Sequence, residues 1–196
     1  MRVGIEVGGT FTDLVAIEDG QVRVTKVPSV PARPDEGAIS ALAAGEIDLE
    51  GVVDLVHGST VATNAILERK GAKVAFIVTS GFRDILFLQR HLRRQIYDLF
   101  YKKPVPIIER SHVLEIDERI AANGAVVKPI DEASLDEELV NFFSDHDFGA
   151  VAICFLNGYA NDAHERCVEK IIRENFPSLP ITCSCDVTRE FREYER

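Results

Sequence analysis

Short β-prone runs open the chain. Residues 3–7 and 12–17 flank Gly8-Gly9-Thr10, and residues 22–27 follow the turn Glu18-Asp19-Gly20-Gln21. This pattern predicts a three-strand antiparallel meander. Pro28, Pro31 and Pro34 then mark a loop, after which Asp35 is placed to cap a helix over residues 36–44. Residues 52–56 read as a buried strand. His57-Gly58-Ser59-Thr60 opens a helix running to Lys70, with Ser59 or Thr60 as N-cap, Gly71 just past its end, and Ile66 and Leu67 turned to the core. Residues 74–79 form the next strand. Residues 113–120 and 125–127 flank Asn123-Gly124, a hairpin signal. Leu135, Leu139, Phe142 and Phe143 keep helical spacing within a helix over residues 132–144. Strand 150–155, helix 162–175 and strand 181–185 complete an α/β alternation, the glutamates of 165–174 reading as a solvated helix face. No internal repeat interrupts it. The charged run 189–196 ends without a helix stop or turn signal and reads as a cut rather than a finished terminus.

The 196 residues carry 22 Lys+Arg against 32 Asp+Glu, a net charge of −10 and a pI near 5.0, with 46% hydrophobic and 28% charged residues. That hydrophobic fraction excludes a disordered chain, and the acidic balance argues against nucleic acid as a partner. The longest apolar runs, 74–78 and 151–156, fall far short of the roughly 20 residues that cross a bilayer, so no membrane association is expected. Glu6 and Gly8-Gly9 break up any signal-peptide core, and the expected location is cytoplasmic. Cys154, Cys167, Cys183 and Cys185 match neither a metal pair nor a disulfide framework and read as small buried hydrophobes.

The chemistry concentrates in Gly4-Ile5-Glu6-Val7-Gly8-Gly9-Thr10-Phe11-Thr12-Asp13. Two adjacent glycines let a backbone turn bring its N–H groups to an anion, and Thr10 and Thr12 add hydroxyl donors. Glu6 and Asp13 stand on either side of the turn, placed to hold a hydrated Mg²⁺ or to orient a water. An ordinary hairpin turn carries the same Gly-Gly pair. The loop is neither a Walker loop nor a dinucleotide fingerprint, since no Gly-Lys-Ser/Thr and no Gly-x-Gly-x-x-Gly is present in it. His57 sits where a strand meets a helix, with Thr60, Thr63 and Asn64 on the first helical turns; the segment suits an anion, or simply capping. Residues 81–103 hold six basic residues against two acidic ones. Arg83, Arg90, Arg93 and Arg94 there suit a carboxylate or phosphate, Arg83 best of the four, and a solvated basic face explains them as well.

Glu6-Val-Gly-Gly-Thr-Phe-Thr-Asp13 resembles the first phosphate-binding hairpin of the sugar kinase/Hsp70/actin ATPase superfamily. More narrowly, the chain resembles the N-terminal region of the hydantoinase A/5-oxoprolinase family. His57-Gly-Ser-Thr-Val-Ala-Thr-Asn-Ala-Ile-Leu-Glu-Arg69, Gly81-Phe-Arg-Asp84, Tyr97-Asp-Leu99, Ala152-Ile-Cys-Phe-Leu156, Tyr159-Ala-Asn161 and Glu190-Phe-Arg-Glu-Tyr-Glu-Arg196 carry that match across the whole chain. The resemblance implies an α/β fold: a ribonuclease H-like (actin-like ATPase) lobe with a mixed sheet flanked by helices. It implies that residues 1–196 are the N-terminal domain of a longer chain whose second ATPase lobe lies elsewhere. It further implies an ATP- and Mg²⁺-dependent enzyme that opens a cyclic amide by phosphorylating it, working with a hydantoinase B-like subunit or domain. In that reading Gly8, Gly9, Thr10 and Thr12 cradle phosphate and Glu6 assists the metal. Asp13, His57 and Arg83 act in catalysis, with Thr60, Thr63 and Asn64 near the substrate. Many superfamily members carry Asp where this chain has Glu6. The same strings also resemble the ATP-using subunit of acetone-type carboxylases, and an assembly module or a non-catalytic sensor are readings of another class.

Overall fold

A computed structural model describes residues 1–90 and 95–196. Arg93 and Arg94 of the basic group lie outside the described residues. The chain divides into two compact units, Met1–Gly71 and Ala72–Arg196, where its length alone fits one domain or two small lobes.

In the N-terminal unit, strands β1 (Arg2–Val7), β2 (Phe11–Glu18) and β3 (Gln21–Pro28) form the expected meander. The turn between β2 and β3 works because Asp19 and Gly20 both take positive φ, the conformation that a two-residue hairpin loop requires. Helix α1 (Pro34–Ala44) starts with Pro34 in its first turn; Arg33, not Asp35, is the residue before it. β4 (Asp54–Ser59) pairs parallel with β1, giving the order β3-β2-β1-β4 and a mixed sheet. Side chains alternate across the sheet, so Val3, Ile5, Val7, Leu14 and Ala16 are buried with Ala41 of α1.

β4 begins and ends later than the sequence pattern predicts, and it absorbs His57-Gly58-Ser59. Helix α2 is consequently short, Val61–Glu68, and ends with Arg69 in the left-handed conformation rather than at Gly71. No residue of α2 is buried. Ile66 and Leu67, expected in the core, are exposed.

The C-terminal unit has its own parallel sheet in the order β10-β9-β5-β6, from β5 (Val74–Thr79), β6 (Val113–Ile116), β9 (Ala150–Cys154) and β10 (Ile181–Cys183). α3 (Ile85–Leu88) follows β5, and the small hairpin β7 (Arg119–Ile120) and β8 (Val126–Lys128) carries the Asn123-Gly124 turn. α4 (Glu132–Ser144) and α5 (Ala163–Asn175) pack on one face through Leu135, Leu139, Phe143, Val168, Ile171 and Ile172. The strand predicted over 181–185 stops at Cys183, and α6 (Ser184–Val187) follows.

The cause lies in Glu165. It belongs to the helix face that the sequence presents as solvated, yet it is fully buried. Its carboxylate accepts the N–H groups of Phe155 (3.0 Å) and Cys185 (3.2 Å) and the Ser184 hydroxyl (2.6 Å). Those bonds tie the ends of β9 and β10 to α5 and turn the chain at Ser184. Nearby, the buried Glu118 accepts from Thr79 and pairs with His164 at 2.7 Å. All four cysteines are free, three of them buried. Burial raises each thiol, pushing Cys185 up to about 12, which keeps it protonated and inert.

Candidate functional site

The Gly8-Gly9-Thr10 turn connects β1 to β2. A Cβ on Gly8 would come within 2.8 Å of the Phe11 carbonyl oxygen, so this hairpin closes only around glycine there. Gly8 N–H donates to that carbonyl at 3.0 Å, Ser29 N–H to Thr10 O at 3.0 Å and Thr60 N–H to Val7 O at 3.2 Å. The loop is thus held on both flanks. Asn64 of α2 stands over it, its side-chain nitrogen 2.9 Å from where a Gly9 Cβ would lie, and it also donates weakly to Thr60 Oγ1 at 3.4 Å.

Beside the turn, strand register aligns four residues in a row across the sheet: Lys26 opposite Asp13, Asp13 opposite Glu6, and Glu6 opposite Gly58. Lys26 Nζ pairs with Asp13 Oδ1 at 3.1 Å. Glu6 is exposed and has no hydrogen-bond or ion-pair partner among the described residues. Two acidic residues therefore hold opposite positions beside a glycine turn, Asp13 neutralised by lysine and Glu6 open. Hard oxygen donors of this kind fit Mg²⁺, with Glu6 the available ligand and Asp13 shared with Lys26. Among the described residues no cluster of three His, Cys, Asp or Glu exists that would hold an ion by protein ligands alone.

The predicted site residues do not all gather on this row. Thr12 lies on the opposite face, fully buried; its hydroxyl bonds Ser29 Oγ at 2.9 Å and lies 2.8 Å from where a Gly37 Cβ would be. His57 is in register with Ile5 and so alternates with Gly58, out of phase with Glu6; it is exposed in β4 instead of at a helix start. Thr10, Thr60 and Thr63 are exposed. Arg83 belongs to the C-terminal unit. Its Nη2 donates to Val113 O at 3.2 Å and its Nε pairs with Glu115 at 3.2 Å. It borders a cavity of about 590 Å³ with Asp84, Phe87, Ile108 and Arg110. There Arg110 grips Asp84 with two bonds, at 2.6 and 3.2 Å, and that grip holds the Asp84 carboxyl below its ordinary value. Arg90 pairs with Glu195.

Sequence reasoning passed over Lys26 and Gly58. Lys26 was readable, because counting back from the two-residue turn at Asp19-Gly20 puts it opposite Asp13. Gly58 was not, since its alignment with Glu6 depends on a parallel pairing between distant segments.

The chain matches the model of the hydantoinase/oxoprolinase N-terminal region over residues 2–176. It belongs to the hydantoinase/oxoprolinase family. An uncharacterised protein of Methanocaldococcus jannaschii is 38% identical over 200 residues, covering all of this chain and 29% of that protein. The solved structure of nucleotide-free acetone carboxylase, from a study of ATP-dependent acetone carboxylation, superposes with a TM-score of 0.85 at 26% identity, covering 98% of this chain and 30% of that one. The ATP-dependent caprolactamase of Pseudomonas jessenii superposes with a TM-score of 0.80 at 28% identity, covering 99% and 30%. In sequence, its subunit alpha is 31% identical to this chain over 209 residues. The family thus includes subunits of multi-subunit enzymes, and the chain spans about 30% of the length of these relatives. No helix among the described residues is long and apolar enough to cross a membrane.

Proposed function

We propose that the N-terminal unit carries one phosphate-binding loop of an ATP-dependent enzyme that opens a cyclic amide. The observation that carries this reading is the Glu6–Asp13 carboxylate pair beside the Gly8-Gly9 turn, in a chain whose relatives include an ATP-dependent caprolactamase. The order β3-β2-β1-β4, with β4 parallel to β1, supports a ribonuclease H-like opening. In this reading the amide oxygen takes a phosphoryl group from ATP. Water then adds to the activated ring carbon, the C–N bond breaks as the ring nitrogen takes up a proton, and the acyl phosphate so formed is hydrolysed by a second water, releasing phosphate beside the ADP. Positioning and charge neutralisation supply most of the acceleration.

The chain's own residues divide the work by place. Gly9 and Thr10 present N–H and hydroxyl donors to phosphate, Gly8 closes the turn through its own bond to Phe11 O, and Asn64 stands over Gly9. Glu6 and Asp13 are the residues that would hold Mg²⁺, which when bound neutralises phosphate charge. Thr12 braces the turn from beneath through Ser29. His57, Thr60 and Thr63 remain candidates for substrate contact, as does Arg83 at its own cavity. A hydantoinase B-like subunit is the proposed partner.

The acetone carboxylase likeness supports a second reading, in which an enolate takes the phosphoryl group. One assay separates the two: Mg²⁺-dependent ATP hydrolysis by the intact gene product with its partner, with 5-oxoproline, hydantoins, or acetone plus bicarbonate. Stimulation by a cyclic amide is the expected result. Stimulation only by ketone with bicarbonate replaces the first reading with the second, and none by any of them overturns both. Gly9→Asp, which sets a carboxylate where phosphate is expected, should abolish turnover; intact turnover in that variant removes the loop assignment.

A further inference from the structure

The Glu6 side chain has two neighbours in its row, Asp13 on β2 and Gly58 on β4. It leans toward Gly58. A Cβ built on Gly58 would overlap the Glu6 Oε2 atom and stand 3.4 Å from Cδ, so the carboxylate lies in the space that any other residue at position 58 would fill. Gly58 has no positive φ, so its backbone conformation is open to other residues; the requirement for glycine comes from the carboxylate alone. Like charges directly opposite each other on a sheet repel. Here the conflict between Glu6 and Asp13 is relieved from both sides: Lys26 neutralises Asp13, and the missing side chain at 58 lets Glu6 stand away from it.

We propose that Gly58 is a positioning residue: by leaving room over β4 it sets where the Glu6 carboxylate stands, and the length of the acid at position 6 is matched to the absence of a side chain at position 58. The functional weight of this rests on the reading of Glu6 as the metal-side carboxylate. The displaced atom is the far end of a flexible side chain, so Gly58→Ala moves the carboxylate toward Asp13 rather than breaking the strand. An aspartate at position 6 is one methylene shorter and relieves the overlap.

The test is a double-mutant cycle, Glu6→Asp with Gly58→Ala, in the intact gene product. The first arm is thermal unfolding without nucleotide or divalent cation. Gly58→Ala stiffens the unfolded chain but must push the Glu6 carboxylate toward Asp13, so the change in Tm that it causes is at least about two degrees less favourable with Glu6 than with Asp at position 6, the coupling expected of residues in contact. Equal changes in both backgrounds overturn the proposal. The second arm is the Mg²⁺ concentration for half-maximal ATP hydrolysis, which rises about tenfold in Gly58→Ala and returns to within about twofold of Glu6→Asp alone in the double variant. A Mg²⁺ requirement unmoved by Gly58→Ala overturns the positioning role. Glu6→Gln separates the two levels. If it leaves the Mg²⁺ requirement unchanged, the metal reading of Glu6 falls, while the metal-free thermal cycle still decides whether positions 6 and 58 are coupled.

Discussion

Thr12 and Asp13 are adjacent in sequence and opposite in environment. Strand alternation sends the Thr12 hydroxyl under α1 to Ser29, while Asp13 joins the row beside the glycine turn. The motif string reads as a phosphate loop, but the string alone does not say which of its two threonines is buried; the register does, and it buries Thr12. Thr12→Val removes the hydroxyl at nearly constant shape, leaving Ser29 without that partner. Urea unfolding should show a loss of about 1 kcal/mol. A neutral Thr12→Val would mean that the contact with Ser29 contributes nothing and that the hydroxyl is free for another role. Glu165 teaches the same lesson from the other side. In a helix dense in charge it reads as solvated, and only the amides of Phe155 and Cys185 and the hydroxyl of Ser184, all distant in sequence, make it a buried acceptor.

At the scale of elements, those decided by their own periodicity read correctly: β5 and α4 fall where the pattern puts them. Asp131 caps α4, its side chain accepting from Ala133 N–H at 3.3 Å. Elements decided by distant partners shifted. His57-Gly58-Ser59 carries a helix-start signal, yet pairing with Ile5, Glu6 and Val7 keeps it in a strand. Ser184-Cys185 carries a strand signal, yet Glu165 turns it into α6. Gly158 belongs to the same device, since a Cβ there would come 2.5 Å from Glu165 Oε1. Glu165→Ala leaves three buried donors without their acceptor, and the expected loss is about 3 kcal/mol or more in urea unfolding. Hydrogen exchange should speed up first at Cys185, and the Cys185 thiol, inert in the native chain, should become open to a maleimide. A uniform loss of protection across β9 and α5, with no preference for Cys185, would contradict this account of α6.

At the scale of the molecule, the division at Gly71 was not legible, because strands of both units share one α/β rhythm and only pairing tells them apart. β5 pairs with β6 and β9 and with no strand of the first sheet. The two units also differ in how acid should affect them. In the C-terminal unit Arg166 links Asp162, Glu169 and Asp186, and Arg173 adds a bond of 2.7 Å to Glu169. The Arg173 hydrogen bond, followed by that of Arg166, holds the Glu169 carboxyl below its ordinary value; Arg166 does the same for Asp186. A carboxyl lowered in the folded state contributes stability that is present above its unfolded pKa and is lost as pH falls through the lowered one. In the N-terminal unit the lowered carboxyl is Asp35, fully exposed beside Arg33, where solvent screens the pair and little stability is at stake. Between about pH 5 and about pH 3 the urea midpoint reported by α5 should therefore fall, while a probe on the β1–β3 meander changes less. Glu169→Gln should weaken the chain at neutral pH and flatten the acid limb of the α5 signal. An acid limb as steep in that variant as in the parent would show that the carboxylates around Arg166 do not set the acid sensitivity of this unit.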